Sequence, residues 1–312
     1  MLSLETELVE LRQRGAIDER TCSRLVALER GEIFPIGLEL RAAAYVAVAM
    51  ILGGLGTVIA KNLDRIGPLA ISIALGLAAA ICYIPAIRAL RRNEQRTAVG
   101  EYVLLLGALL LAAGIGFIEK MFHPLGGLWT LHLLFIAFVH AAGAYVFNSK
   151  LLLSASLASL ASWFGFQAGL DPIFFGTSAV SVGTAGLAAA VAIGIWRAIN
   201  SRLARYRAFA GTFDFFIANV ALISTIILAS TSETRMLGLL LAVVFAAGAI
   251  VYGVVTREIS FVVYGVIYAV IAVGFAAVQM DGCVPFFLAI LVASIAGALT
   301  LWFVRQWMRR AA

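Results

Sequence analysis

Few residues in this chain have chemistry to offer, and three of them fall close together. Glu119, His123 and His132 combine one carboxylate with two of the three histidines present. If one helix carried Glu119 and His123, their i, i+4 spacing would place both on one face, and His132, entering on the next helix, could close on them. Two imidazoles and a carboxylate are a ligand set for zinc or another divalent cation. The same residues also read as interfacial polar packing, because no HExxH-type pair fixes a metal geometry. The sequence contains no nucleophile elbow, phosphate loop or paired-cysteine motif either. An enzyme would therefore rest on Glu119, His123 and His132 alone, and the expectation is a protein without enzymatic activity and without a cofactor, a divalent metal being the one exception to test.

Three more polar residues fall inside apolar stretches: His140, Asp214 and Asn219. Ionisable and amide groups at membrane depth are costly and mark pathways or helix contacts. Asn219 falls near mid-membrane, and Asp214 lies close enough to the inner surface to reach Arg205 or Arg207. Tyr264 and Tyr268 share one helical face and read as packing.

The elements that must position these residues follow from composition. Of 312 residues, 62% are hydrophobic and 13% charged, and the mean hydropathy is +1.01. That excludes a soluble enzyme on a membrane anchor. The apolar residues also come in unbroken runs of about 20, which excludes an outer-membrane barrel of ~10-residue alternating strands. The runs lie near 42–60, 66–87, 102–118, 128–147, 151–170, 173–196, 208–229, 236–255, 259–279 and 284–304. The fourth and fifth are parted only by Asn148, Ser149 and Lys150, and the eighth and ninth only by Thr256, Arg257 and Glu258. A single helix across either junction would be roughly 64 Å long, about twice the hydrocarbon thickness, so each junction reads as a tight turn. The expected fold is all-α: a polytopic integral membrane helical bundle of about ten transmembrane helices over 41–305. A short cytoplasmic helical hairpin over 1–40 precedes it and a basic cytoplasmic tail over 306–312 follows. In the hairpin, Leu4, Leu8 and Leu11 form one stripe, Gly15 closes the first helix as a left-handed cap, and Asp18 caps the second.

Loop charge gives the orientation. With the head inside, 19 basic residues fall on inner segments and only Lys61, Arg65, Lys120 and Arg235 on outer ones. This is the positive-inside bias, and it puts both termini in the cytoplasm. It also accounts for the net charge of +6 without a nucleic-acid partner. Cys22, Cys82 and Cys283 fall on the head, inside a helix and on the far surface, too far apart to pair. The outer segments carry the acids Asp64, Glu119, Asp171, Glu233 and Asp281. A cation-collecting vestibule is one reading, but all except Glu119 sit just before the next helix, where an acid caps free N–H groups. Glycines such as Gly53, Gly54, Gly56, Gly114, Gly116, Gly165 and Gly169 let helices approach closely. Gly54-Leu-Gly56 ahead of Lys61 resembles Gly114-Ile-Gly116 ahead of Lys120, a short tandem repeat.

The hairpin around Gly15-Ala-Ile-Asp18, the Gly-rich first span ending Lys61-Asn62-Leu63-Asp64, the third span ending Glu119-Lys-Met-Phe-His123 and the opening Gly127-Leu-Trp129 together resemble the bacterial membrane-protein family called domain of unknown function 2157. The resemblance covers roughly residues 4–165. The family tends to place an aromatic where this chain has Leu63, and often a Gln near Glu119. It implies the architecture and no reaction or ligand.

The midplane offers little polarity for an ion path but permits an apolar or lipid-like substrate. The leading expectation is a transporter-like or lipid-handling protein of a bacterial inner membrane, with the bilayer as its surroundings. A membrane sensor or scaffold acting through partner binding or self-association of residues 1–40 is the alternative, and a membrane-embedded metal hydrolase a third. Reporter fusions after residues 98, 202 and 312 should score cytoplasmic and those after 124, 232 and 282 extracytoplasmic; an outside C-terminus would break the ten-span count.

Overall fold

The structure is a computed structural model that describes residues 12–15, 18–19, 22–23, 37–92, 97–167, 179–277 and 283–310. Among these, every regular element is helical. Ten long α-helices follow in order: α1 (Gly37–Ile66), α2 (Pro68–Arg91), α3 (Ala98–Phe122), α4 (Leu131–Phe147), α5 (Lys150–Gln167), α6 (Ala179–Ser201), α7 (Ala210–Ala229), α8 (Arg235–Thr256), α9 (Ile259–Ala277) and α10 (Cys283–Arg310). Short 3₁₀ turns at Gly126–Leu128 and Ala204–Phe209 precede α4 and α7.

Each helix falls on one of the ten apolar runs. Eight are long and apolar enough to cross a membrane by length and composition, while α4 is apolar but only 17 residues long. The helix α5 is serine-rich, and its hydroxyls are turned back on carbonyls: Ser154 Oγ donates to Lys150 O at 3.0 Å, and Ser159 Oγ to Ala155 O at 2.9 Å. That keeps them from facing hydrocarbon unpaired.

Both narrow junctions are turns. Asn148 adopts a left-handed conformation (φ 49°), and Ser149 N–H donates to Ala144 O at 3.0 Å, closing the end of α4. Arg257 does the same after α8 (φ 59°), with Glu258 N–H donating to Gly253 O at 2.9 Å. These carbonyls would otherwise be orphaned at a helix end, and the left-handed residue reverses the chain in the fewest steps.

The chain divides into two compact units, residues 1–64 and 65–312. In the first, Gly15 has φ 69° and its N–H donates to Arg12 O at 2.9 Å, while Cys22 N–H donates to Asp18 O at 3.0 Å, the opening bond of a helix. Arg12 Nη1 pairs with Glu19 Oε1 at 2.8 Å. Gly15 thus takes the left-handed conformation expected of it and the Asp18 carbonyl opens the next helical turn, whereas Leu4, Leu8 and Leu11 lie outside the described residues. Asp64 sits within α1, which runs on to Ile66, and the residue that begins α2 is Gly67 (φ 80°) followed by Pro68. The side chain of Asp64, expected as a cap, lies outside what is described, and proline at the first position of α2 removes one of the free N–H groups there.

The second unit packs largely by sequence neighbours: α2 on α3, α4 on α5, α6 on α7, α7 on α8, α8 on α9 and α9 on α10, with α3 also touching α4 and α5. Helix approach is closest at small residues. A Cβ added at Gly238 would lie 2.6 Å from the carbonyl carbon of Leu228, and one at Gly253 would lie 2.8 Å from the backbone N of Val262 and 2.9 Å from Glu258 O. Those neighbours are main chain and cannot rotate away. Gly114 and Gly116, singled out by the sequence, make only ordinary contact or none, and Gly169 lies outside the described residues. By contrast Gly194, in the middle of α6, has open space around it. Gly253→Ala should therefore lower stability by about 1–3 kcal/mol through overpacking. Gly194→Ala should be neutral or stabilising by up to about 1 kcal/mol through helix propensity. Thermal unfolding of the two variants in one detergent checks this; equal melting would show that the α8–α9 contact is not tight.

Candidate functional site

Asp214, on the second turn of α7, has both carboxylate oxygens bonded. Arg197 on α6 donates from Nε to Asp214 Oδ1 at 3.1 Å, and Tyr252 on α8 donates from its hydroxyl to Oδ2 at 2.8 Å. The expected partners Arg205 and Arg207 are not used. The antiparallel helices α6 and α7 bring Arg197 level with Asp214, while Arg205 lies over the Tyr206 ring at 5.7 Å. A carboxylate bonded at both oxygens and paired with a guanidinium is far less costly in a low-dielectric layer than a bare one.

Beside this ion pair, α7, α8 and α9 line a partly open cavity of about 210 Å³. Asp214 and Tyr252 give its lining a polar end, and Ala218, Ala221, Gly248 and Ala249 line the rest with Phe245 and Phe261. On α8 its rim faces outward, since Phe245 is 39% and Tyr252 40% exposed. The size is informative: an apolar cavity of about 150 Å³ already takes a benzene ring, whereas pockets for drug-sized ligands span roughly 300–1,000 Å³. This one suits a small apolar molecule or part of a single acyl chain.

Asn219 lies one turn further along α7. Its Nδ2 donates to Phe215 O at 2.9 Å and its Oδ1 accepts the Tyr268 hydroxyl at 3.4 Å, so it joins α7 to α9. Tyr264 packs edge-on against Phe215 at 5.6 Å, as the packing reading has it. His140, 1% exposed, places Nε2 3.1 Å from Ala108 O on α3, and only the other ring nitrogen is unpartnered.

The outer trio is arranged differently from the sequence expectation. Glu119 is buried at 5% exposure; its Oε2 accepts the Leu125 N–H at 3.3 Å, and Oε1 has no partner. His123 does not share its helical face. The helix α3 ends at Phe122, and His123 is the left-handed cap (φ 48°) whose N–H donates to Glu119 O at 3.0 Å. His132 is held by its own turn: Nδ1 bonds the Trp129 carbonyl and the ring stacks on Trp129 at 5.8 Å. Among the described residues no three His, Cys, Asp or Glu side chains stand where they could hold one metal ion. Glu119, His123 and His132 thus do not form a preassembled ligand set, because the reversal that caps α3 sends His123 off the helix. Of the other outer acids, Glu233 is exposed one residue before Thr234, which begins α8, and Asp171 and Asp281 lie outside the described residues.

A second polar cluster was missed by sequence reasoning. Trp196 Nε1 donates to the Tyr145 hydroxyl at 2.9 Å, which donates to Asn200 Oδ1 at 3.0 Å. Asn200 Nδ2 donates to Tyr206 O at 3.2 Å, and the Tyr206 hydroxyl donates back to Tyr145 O at 3.3 Å. Every member is satisfied, so the loop staples the ends of α4 and α6 to the turn before α7 and has no free group for a ligand. Its only sequence signal is three aromatics near one set of helix ends, the pattern of a membrane-interface belt. The partners of Asp214 were legible only by counting outward in about equal steps from the turn at 230–234, which brings Tyr252 level with Asp214 on antiparallel helices.

Comparison with known proteins adds a family and nothing finer. No curated protein and no solved structure matches the chain. The family match ends just inside α5 and so leaves the cavity between α7, α8 and α9 outside it, while Glu119, His132 and His140 fall within it. Over residues 6–153 the chain matches the family described as predicted membrane protein, domain of unknown function 2157 (DUF2157), and it is a membrane protein with several apolar helices.

Proposed function

We propose that the protein is a ten-span protein of a bacterial inner membrane, with both ends in the cytoplasm, that holds a small apolar or lipid-like ligand between α7, α8 and α9. The charge asymmetry of 19 basic residues to four supports the orientation. In that orientation Asp214 and Tyr252 lie toward the inner leaflet and the exposed rim of α8 faces the acyl chains.

The observation that carries the reading is the cavity of about 210 Å³ with one polar end. Apolar walls favour an alkyl chain by the area they remove from water, and an end made of a carboxylate and a phenol orients a head group that can donate a hydrogen bond. Within a bilayer such a ligand reaches the site sideways, past Phe245 and Tyr252, without crossing water. Arg197 holds the carboxylate in place through Oδ1 whether or not a ligand is bound.

Gly248 supplies the test, because it lines the cavity and a Cβ built there meets nothing within 4 Å. Gly248→Phe puts a ring into the cavity from a Cβ position that is free of contact. A diazirine-bearing long-chain alcohol, irradiated with the protein in lipid nanodiscs, is expected to label peptides spanning 214–252. Excess unlabelled alcohol should compete, and Gly248→Phe should lose the label while melting like the parent. Labelling spread evenly over all the exposed helices, unchanged in Gly248→Phe, would overturn the reading.

A further inference from the structure

Among the described residues, three buried side-chain polar atoms have no hydrogen-bond partner: Glu119 Oε1, His140 Nδ1 and Trp163 Nε1. They lie on the consecutive helices α3, α4 and α5, away from the cavity described above. Two hydrogen bonds fix the register of these helices. His140 Nε2 to Ala108 O sets those residues level on α4 and α3, and Ser156 Oγ donating to Ala137 O at 2.7 Å does the same for α5 and α4.

Heights then follow from helix geometry. From Ala108 to Glu119 is three turns, so Glu119 stands on the α3 face that turns to α4, about 16 Å outward of His140. From Ser156 to Trp163 is two turns, so Trp163 stands on the α5 face that turns to α4, about 15 Å outward of His140 once the offset of Ala137 is included. Glu119 and Trp163 are thus level on two helices that touch each other, and His140 is far below both. At their height α4 has not begun: it starts at Leu131, and the chain there is the turn around Gly126–Leu128. That turn folds back over Glu119, whose Oε2 takes the Leu125 N–H and whose carbonyl takes the His123 N–H. The carboxylate is therefore held in place with one oxygen bare.

A buried carboxylate oxygen without a donor is unfavourable, and a buried indole N–H without an acceptor adds to it. The two needs are opposite. A cation would serve Glu119 and be repelled by the indole N–H, and an anion would serve Trp163 and be repelled by the carboxylate. A single neutral hydroxyl does both, donating its O–H to Glu119 Oε1 and accepting from Trp163 Nε1. We propose that Glu119 and Trp163 form a site at the outer end of α3, α4 and α5 that binds the hydroxyl of a neutral polyol, as a free molecule or as an amphiphile's head group. The site is separate from the ligand cavity of α7, α8 and α9 and does not rest on it.

The indole N–H of Trp163 is its own reporter. In ¹⁵N-labelled protein in detergent micelles, the Trp163 Nε1–H resonance is assigned by its loss in Trp163→Phe. It should move saturably when 1-monooleoylglycerol is added. A saturable shift with glycerol as well identifies a free polyol as sufficient, and a shift with monooleoylglycerol alone identifies an amphiphile. In Glu119→Gln the charge-assisted bond is lost and the midpoint should rise about tenfold, a change of ~1.4 kcal/mol. The titration of the unaltered protein decides the matter even if a variant folds poorly. Several results would overturn the proposal: no shift with either polyol, contact of the Trp163 N–H with water only, a shift with tetramethylammonium instead, or an unchanged midpoint in Glu119→Gln.

Discussion

Main-chain contact between α7 and α8 at Gly238 governs the C-terminal half of the molecule. With no Cβ in the way, α8 starts its return directly against Leu228 and Ala229. At the far end of the same pair, Tyr252 spans the gap to Asp214 through the length of a phenol side chain. One end is thus joined backbone to backbone and the other by a side chain. The walls between are Ala218, Ala221, Gly248 and Ala249, whose small side chains leave the space open. Phe261 on α9 reaches in to cover it, and α9 is itself drawn close by Gly253 beside Val262 and Gly265 beside Ala246 and Ile250. Close packing at the glycines is what makes loose packing at the alanines possible.

The charged groups within the helices are treated in two ways. Asp214 is bonded at both oxygens and matched by a guanidinium, and Glu101 likewise accepts the buried Ser149 hydroxyl at 2.7 Å where α3 meets the start of α5. Such groups hold helices together and leave little capacity unused. Glu119 is the exception, buried with one oxygen satisfied by its own loop and the other bare. A helical protein in hydrocarbon has no water to repair such a deficit, so an unsatisfied group is a sharper observation here than on a soluble surface.

The two proposed sites stand differently to a boundary in the chain. The family match takes in Glu119 and His140 and stops at residue 153, before Trp163 and well before the cavity. The outer site draws one of its two residues from beyond the matched segment, and the cavity draws all of its residues from there.

Periodicity and charge in the sequence determined the ten helices, their approximate ends and their all-α character. An apolar run of about 20 residues has one economical conformation in lipid, and its ends are marked by arginines, prolines and glycines. Even the junctions at Asn148 and Arg257 were legible, because a single helix through either would be about twice as long as the membrane is thick. Which polar residues meet was not legible. Asp214 chose Arg197 over Arg205 and Arg207 because of the register between two antiparallel helices, which meet closely at Gly183 and Gly186 of α6 against Ser224 and Leu228 of α7, far from the ion pair. His123 left Glu119 because one left-handed residue ended α3 a position before the i, i+4 face could form. Trp163 gave no signal at all, since an aromatic in an apolar run looks like any other. Local pattern fixes where a helix lies along the chain; rotation about its axis and register against its neighbours are decided by packing, and those two quantities select the interhelical polar pairs described above.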